Sequence, residues 1–258
     1  MAYEFIGYED VHPHVVRVTL QRPERLNALH GPLLDELTHA VERIDADDEV
    51  RVWLLTGAPR SDGRPCFGAG VDLRSFAEGK GVSIEQGLRL SERIDEMLKP
   101  SIAVIDGVCT TGAAELALAF DFRLVGAAAR ISDWHLKNLG TGLGAWGAST
   151  RWVRLLGVQR AKELILTGRE LDAQEAVDLG FALSAHASEE LQEAALDLAA
   201  RIAEMKREGV RMVLAHLDRA AEMGRRDAVG LAADLYRWLG ADVDMEDKGK
   251  AVLGGKDD

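Results

Sequence analysis

Cys66-Phe67-Gly68-Ala69-Gly70-Val71-Asp72-Leu73 and, further along, Asp106-Gly107-Val108-Cys109-Thr110-Thr111-Gly112-Ala113-Ala114-Glu115-Leu116-Ala117 decide how this chain is read. Each runs as a short apolar strand into small residues and then into the start of a helix. Such a turn leaves backbone N–H groups free at a helix N-terminus, where partial positive charge collects. Two such termini can converge on one developing oxyanion.

Strands and helices alternate on either side of these turns. Val15 to Leu20 is a β-branched run that reads as a strand ended by Arg22-Pro23. From Pro32 to Asp45, apolar residues at 33, 34, 37, 41 and 44 keep helical spacing. Val50–Leu55 reads as a strand closed by Thr56-Gly57, and a Gly-, Pro- and Ser-bearing loop covers 58–65. A short helix near Asp72–Phe76 and an amphipathic helix over Ile84–Leu98, stopped by Lys99-Pro100, come next. Ile102–Ile105 is a strand, Ala113–Phe120 a helix and Phe122–Val125 a strand. This recurrence predicts an α/β fold of repeated ββα turns. Past Thr150 the text is helical, over Ala161–Leu166, Ala173–Leu179, Glu189–Met205 and Val210–Leu239, with one strand at Phe181–Ala185. Apolar faces on several of these helices imply packing beyond their own core, between subunits included.

Bulk properties narrow the function. A chain of 258 residues buries a sizeable core, and 47% hydrophobic with 29% charged residues is ordinary for a globular protein. A net charge of −12 argues against nucleic acid as a partner. It leaves room for an anionic small molecule held by a local Arg or Lys. Cys66 and Cys109 lie in apolar runs without a disulfide framework, which fits a reducing cytoplasmic home. The first ten residues lack the basic and apolar regions of a secretory signal. The apolar stretch Ile102–Phe120 is interrupted by Asp106 and Glu115, so no membrane span is expected.

Among the motifs, Gly142-Leu143-Gly144-Ala145-Trp146-Gly147 spells G-x-G-x-x-G but fails its context. No β-branched strand precedes it and no ribose-binding acid follows, so it reads as a glycine-rich wall beside a ligand or a tight loop. If a helix starts near Gly112, Glu115 lies one turn in on the same face, its carboxylate beside the Gly112 N–H. An acid there either handles protons or merely complements the helix dipole. Glycine at 112 denies it the Ser or Thr of a capping box. His12 and His14 straddle Pro13 with no third ligand, a solvated loop, and Cys109 reads as a small buried thiol. No G-x-S-x-G elbow is present.

In order and spacing, five segments resemble the crotonase (enoyl-CoA hydratase/isomerase) superfamily. They are Arg22-Pro23-Glu24-Arg25-Leu26-Asn27-Ala28-Leu29, the Ala69-to-Leu73 segment after Thr56-Gly57, Lys99-Pro100 through Asp106-Gly107, Gly112-Ala113-Ala114-Glu115-Leu116, and Leu166-Thr167-Gly168 through Gly180. The resemblance implies a spiral of ββα units over 1–195 carrying an acyl-CoA site. It also implies a helical region, 196–258, that builds a homotrimer or a dimer of trimers. The N–H groups of Val71 and Gly112 are then expected to hold the thioester oxygen, and Glu115 to be the acid/base group. Ala69, Gly70, Asp72 and Leu73 would line the path of CoA. Arg25 and Ala28, on the loop after the first long strand, are further substrate-binding candidates, Arg25 for a CoA phosphate. No cofactor beyond the CoA of the substrate, no metal, and no nucleic-acid or membrane partner is expected.

One departure stands out. Family hydratases usually carry a second glutamate in a Pro-Glu pair, whereas Ala129 to Gly140 holds no Glu. The family position falls on His135 or Leu136, with Asp133 close by. Syn addition of water is best served by two carboxylates. A histidine, with an ordinary pKa near 6.5, could take over as base. Asp133 could serve instead, or Trp134-His135 could only shape the acyl pocket. The expected activity is of enoyl-CoA hydratase/isomerase type. C–C bond hydrolysis, decarboxylation or dienoyl isomerisation stand as alternatives, and non-catalytic acyl-CoA binding as a remote one.

Overall fold

The structure, a computed structural model, describes residues 3–140, 142–240 and 249–250. It divides into two units, one ending at Glu204 and one starting at Met205. In the first unit, β1 (Ile6–His12) and β2 (Val15–Leu20) form an antiparallel pair that leads into α1 (Gly31–Ala46). Three ββα turns follow. They are β3 (Val52–Gly57), β4 (Cys66–Gly68) and α2 (Leu73–Ala77) with α3 (Ile84–Asp95); β5 (Ser101–Ile105), β6 (Val108–Thr110) and α4 (Gly112–Leu118); and β7 (Phe122–Gly126), β8 (Arg130–Ser132) and α5 (His135–Leu139). The first unit then closes with α6 (Ala148–Thr167), β9 (Glu170–Leu171), α7 (Ala173–Asp178), β10 (Ser184–His186) and α8 (Leu191–Ala203).

The first strand of every turn enters a six-stranded sheet, ordered β1-β2-β3-β5-β7-β10, and the second enters a four-stranded sheet, ordered β4-β6-β8-β9. Stacking β3, β5 and β7 in one sheet and β4, β6 and β8 in the other makes the spiral. The larger sheet buries both faces, which is why β3 and β5 are apolar nearly throughout. Side chains alternate along each strand. Val52, Leu54, Ile102, Val104 and Leu124 face α8, which presents Leu191, Ala195, Ala199 and Ala203 on one stripe. Trp53, Leu55, Ala103, Ile105 and Val125 face the main core.

Most expected elements are present, and the differences have local causes. The helix expected over Ala161–Leu166 is the second half of α6, which bends at Gly157 with φ at 76°. β1 is half polar and at an edge, so it lacks a strand's apolar alternation. β8 and α5 are too short for periodicity to register. The single stretch expected over Val210–Leu239 is two helices, α9 (Arg207–Ala220) and α10 (Arg225–Gly240), parted around Gly224, the residue of weakest helix propensity after proline. These two helices lie in the second unit, and residues 241–248 and 251–258 of the expected 196–258 region lie outside the described residues. No described helix is long and apolar enough to cross a membrane.

Candidate active site

The C-terminal ends of β4, β6 and β8 lie side by side, because Gly68 pairs with Cys109 and Thr110 with Ser132. The Ser132 hydroxyl donates to Thr110 Oγ1 at 2.8 Å and ties two of them together. The residues that follow each strand therefore meet: 69–73, 111–115 and 133–135. They border a cavity of about 290 Å³. Val82, Glu115, His135 and Trp146 are its buried lining, while Leu73, Phe76, Ile84 and Leu143 are its exposed rim.

The first turn is clamped from behind. Leu29 N–H donates to Gly70 O at 2.7 Å and Leu29 O accepts from Asp72 N–H at 2.8 Å. A parallel bridge of this kind uses the groups flanking Val71 and turns the N–H of Val71 itself to the other side. Asp72 accepts from Arg22 Nη2 at 3.0 Å and caps α2 through Arg74 N–H at 3.1 Å. Burial alone would raise the Asp72 carboxyl, but the Arg22 guanidinium outweighs it and holds the group below the usual carboxylate range. Asn27, fully buried, accepts from Arg22 N–H and donates to Ala58 O and Cys66 O, fixing the loop to β4. Gly70, at φ 82°, lies flush against Thr111. The second turn approaches as closely, since a Cβ on Gly112 would lie 3.2 Å from Val71 Cγ2. Gly112 opens α4, so its N–H has no partner within the helix. Thr111, just before it, holds φ 48° and ψ −124°, a conformation β-branched residues avoid.

Glu115, 2% exposed, sits at the centre. Its Oε2 accepts from Trp146 N–H at 2.7 Å and Ala148 N–H at 3.3 Å, at the positive end of α6. Its Oε1 lies 3.0 Å from His135 Nε2, and His135 Nδ1 lies 2.7 Å from Asp133 Oδ1. The same Asp133 oxygen accepts from the His135 backbone N–H at 3.2 Å. Burial by itself lowers the His135 pKa, but the hydrogen bonds and charges of Asp133 and Glu115 overcome it and push it up to about 9.

The glycine-rich motif forms the opposite wall. A Cβ on Gly144 would lie 2.7 Å from Glu115 Oε2, and Gly147 takes φ 104° at the cap of α6. Glycine at these positions lets the loop wrap a carboxylate rather than a pyrophosphate. Sequence reading missed the amides of Trp146 and Ala148 as partners of Glu115; the G-x-G-x-x-G preceding a helix was the signal, since a helix N-terminus binds any anion.

Of the expected site residues, the structure gathers Ala69, Val71, Leu73, Glu115 and His135 around the cavity. Gly70 and Gly112 stand in the two touching turns, and Asp133, 1% exposed, stands behind His135. Asp72 is occupied by Arg22 and the α2 cap. Ala28 is buried, its carbonyl accepting from Arg22, and Arg25 is half-buried on the same loop. Neither borders the cavity.

Comparison with known proteins bears on the family and the fold. A family model described as enoyl-CoA hydratase/isomerase matches residues 10–252. A probable enoyl-CoA hydratase of Rhizobium meliloti is 31% identical over 252 residues, covering 96% of this chain and 94% of that protein. An enoyl-CoA isomerase/hydratase of Mycosarcoma maydis is 37% identical over 179 residues, covering 65% and 63%. The crystal structure of an enoyl-CoA hydratase from Bacillus anthracis superposes with a TM-score of 0.88 at 28% identity, covering 98% of this chain and 97% of that one. Matched along nearly its whole length in sequence and in fold, the chain belongs to the enoyl-CoA hydratase/isomerase family of enzymes, within the crotonase superfamily.

Proposed function

We propose that the chain processes acyl-CoA thioesters by hydratase/isomerase-type chemistry through a thioester enolate. The observation that carries this reading is a buried carboxylate, Glu115, facing an apolar cavity beside the N–H groups of Val71 and Gly112, which have no backbone hydrogen-bond partner among the described residues. In this reading the N–H groups of Val71 and Gly112 hold the thioester oxygen, each worth about 3 kcal/mol in the transition state. Glu115 removes a proton from the carbon next to the carbonyl and returns it. Ala69 and Leu73 line the thioester's path, and Arg25 reaches for a CoA phosphate from the adjoining loop. Gly70, Asp72 and Ala28 serve by holding the first turn in shape. The proton transfers require no cofactor beyond the CoA of the substrate.

His135, one of the two positions (135 or 136) on which the family's second glutamate falls, borders the cavity, and Asp133 acts from behind it. Among the described residues bordering the cavity, Glu115 is the one carboxylate, which favours moving a proton over adding water. Carbon–carbon cleavage, decarboxylation and dienoyl isomerisation draw on the same enolate and are the alternatives that substrate assays separate. Glu115→Gln is expected to cut turnover of a short 2-enoyl- or 3-enoyl-CoA by at least ~100-fold, the scale of general acid–base catalysis. Coenzyme A binding, measured by calorimetry, should persist. An unchanged rate sinks the assignment, and CoA binding with no turnover by the wild-type chain points to a non-catalytic binder.

A further inference from the structure

On one wall of the cavity, three titratable side chains are joined in succession: Glu115 on α4, His135 at the start of α5, and Asp133 before it. Both ring nitrogens of His135 lie within hydrogen-bond distance of carboxylate oxygens, at 3.0 and 2.7 Å. With both acids ionised each only accepts, and each nitrogen then carries its own hydrogen to make both bonds. A ring with both hydrogens is an imidazolium. The other cations nearby are turned elsewhere: Lys137 Nζ lies over the Trp134 ring, and Arg151 of α6 is bound to Trp146 O, Glu92 and Asp95.

We propose that His135 is held by Asp133 as a standing imidazolium whose charge keeps Glu115 available as the single proton acceptor of the site. The proposal rests on the acyl-CoA reading above and narrows it. The ring bridges two buried acids, one on each nitrogen. With the cation between them the trio carries one net negative charge. When Glu115 takes the substrate proton, the C–H bond breaks, its electron pair becomes the enolate, and the trio becomes neutral. The proton then returns from Glu115 to carbon, so no co-reactant is needed. In this proposal His135 keeps both its hydrogens throughout and has no lone pair to offer, so it does not act as the base, one of the three alternatives the sequence leaves open. The substrate class this suits is a 3-enoyl thioester, in which one proton moves between two carbons of the same chain. Asp133 touches no substrate and is a positioning residue.

Two measurements test this. Nitrogen NMR of ring-labelled histidine, assigned with His135→Gln, should show His135 doubly protonated at pH 7 and titrating about pH 9. In Asp133→Asn that titration should move down by at least ~1 pH unit, because one of its two anionic partners is gone. With 3-enoyl-CoA, the alkaline limb of the kcat/KM profile should move down with it. The activity of Asp133→Asn should then fall roughly tenfold per pH unit above the new pKa, with the loss smallest at pH 6. A neutral ring in the wild type at pH 7 overturns the proposal and needs no variant. So does an alkaline limb that stays in place in Asp133→Asn, or a loss equal at every pH, the mark of a structural role. A wild-type chain with the imidazolium signature but no turnover of any enoyl thioester instead overturns the acyl-CoA reading, and the catalytic role with it.

Discussion

Thr111 shows how a single residue stores strain where the site is built. At φ 48° and ψ −124° a β-branched side chain is crowded, and such positions cost on the order of 1–3 kcal/mol. Its backbone is held on both sides, with its N–H bonded to Ser132 O and its carbonyl accepting from Glu115 N–H. Glycine relieves the crowding but adds about 0.5–1 kcal/mol of unfolded-state entropy. Thr111→Gly is therefore expected to stabilise the fold by about 1 kcal/mol net, read as a higher urea midpoint at unchanged slope. A lower midpoint would mean that the threonine side chain, which borders the cavity, contributes more packing than strain. Neither cysteine offers comparable chemistry. Burial pushes the Cys66 thiol up to about 11 and Cys109 higher still, so both are inert.

Among the elements, α3 and the loop before α6 depend on each other. The indole of Trp146 lies flush on Gly87 of α3, so that a Cβ there would run into the ring. Ser91, one turn on, donates to Trp146 O at 2.7 Å, and Arg151 Nη1 donates to the same oxygen at 2.7 Å. Replacing a helical glycine by alanine ordinarily stabilises by up to about 1 kcal/mol. Gly87→Ala should do the opposite, losing about 1–3 kcal/mol through overpacking of a rigid buried ring. Because Trp146 N–H holds Glu115, the same variant should also lower kcat. A gain in melting temperature with full activity would refute this coupling. Glycines inside helices look alike in sequence; only the neighbouring helix distinguishes Gly87 from an exposed one.

Taken whole, the molecule leaves an apolar surface in its second unit. Val213, Leu217, Val229, Tyr236 and Trp238 on α9 and α10 are exposed, Trp238 to 78%. Large apolar side chains left exposed on two neighbouring helices are of the kind an interaction surface uses. The proposed occupant is the same chain, in a trimer or a dimer of trimers. Sedimentation should give three or six copies, and Trp238→Glu combined with Leu217→Glu should lower that number. A monomer at micromolar concentration removes this proposal and leaves the site chemistry untouched.

The ββα order, the two turns at 70–71 and 111–112, and Glu115 were legible because each rests on local chemistry. Strand ends, small residues and helix starts are read from neighbours in the chain. The missing second glutamate was also plain in the text from Ala129 to Gly140. His135 and Asp133 were named as candidates for its place, but their contact with Glu115 was not legible, because the three come together only when β6 and β8 pair. The same holds for Gly144 and the amides of Trp146 and Ala148, which meet Glu115 across the cavity. Local sequence determined which titratable groups were available to the site. The pairing of distant strands decided which of them meet, since a contact at 2.7–3.0 Å is a fact of three-dimensional distance and not of spacing along the chain.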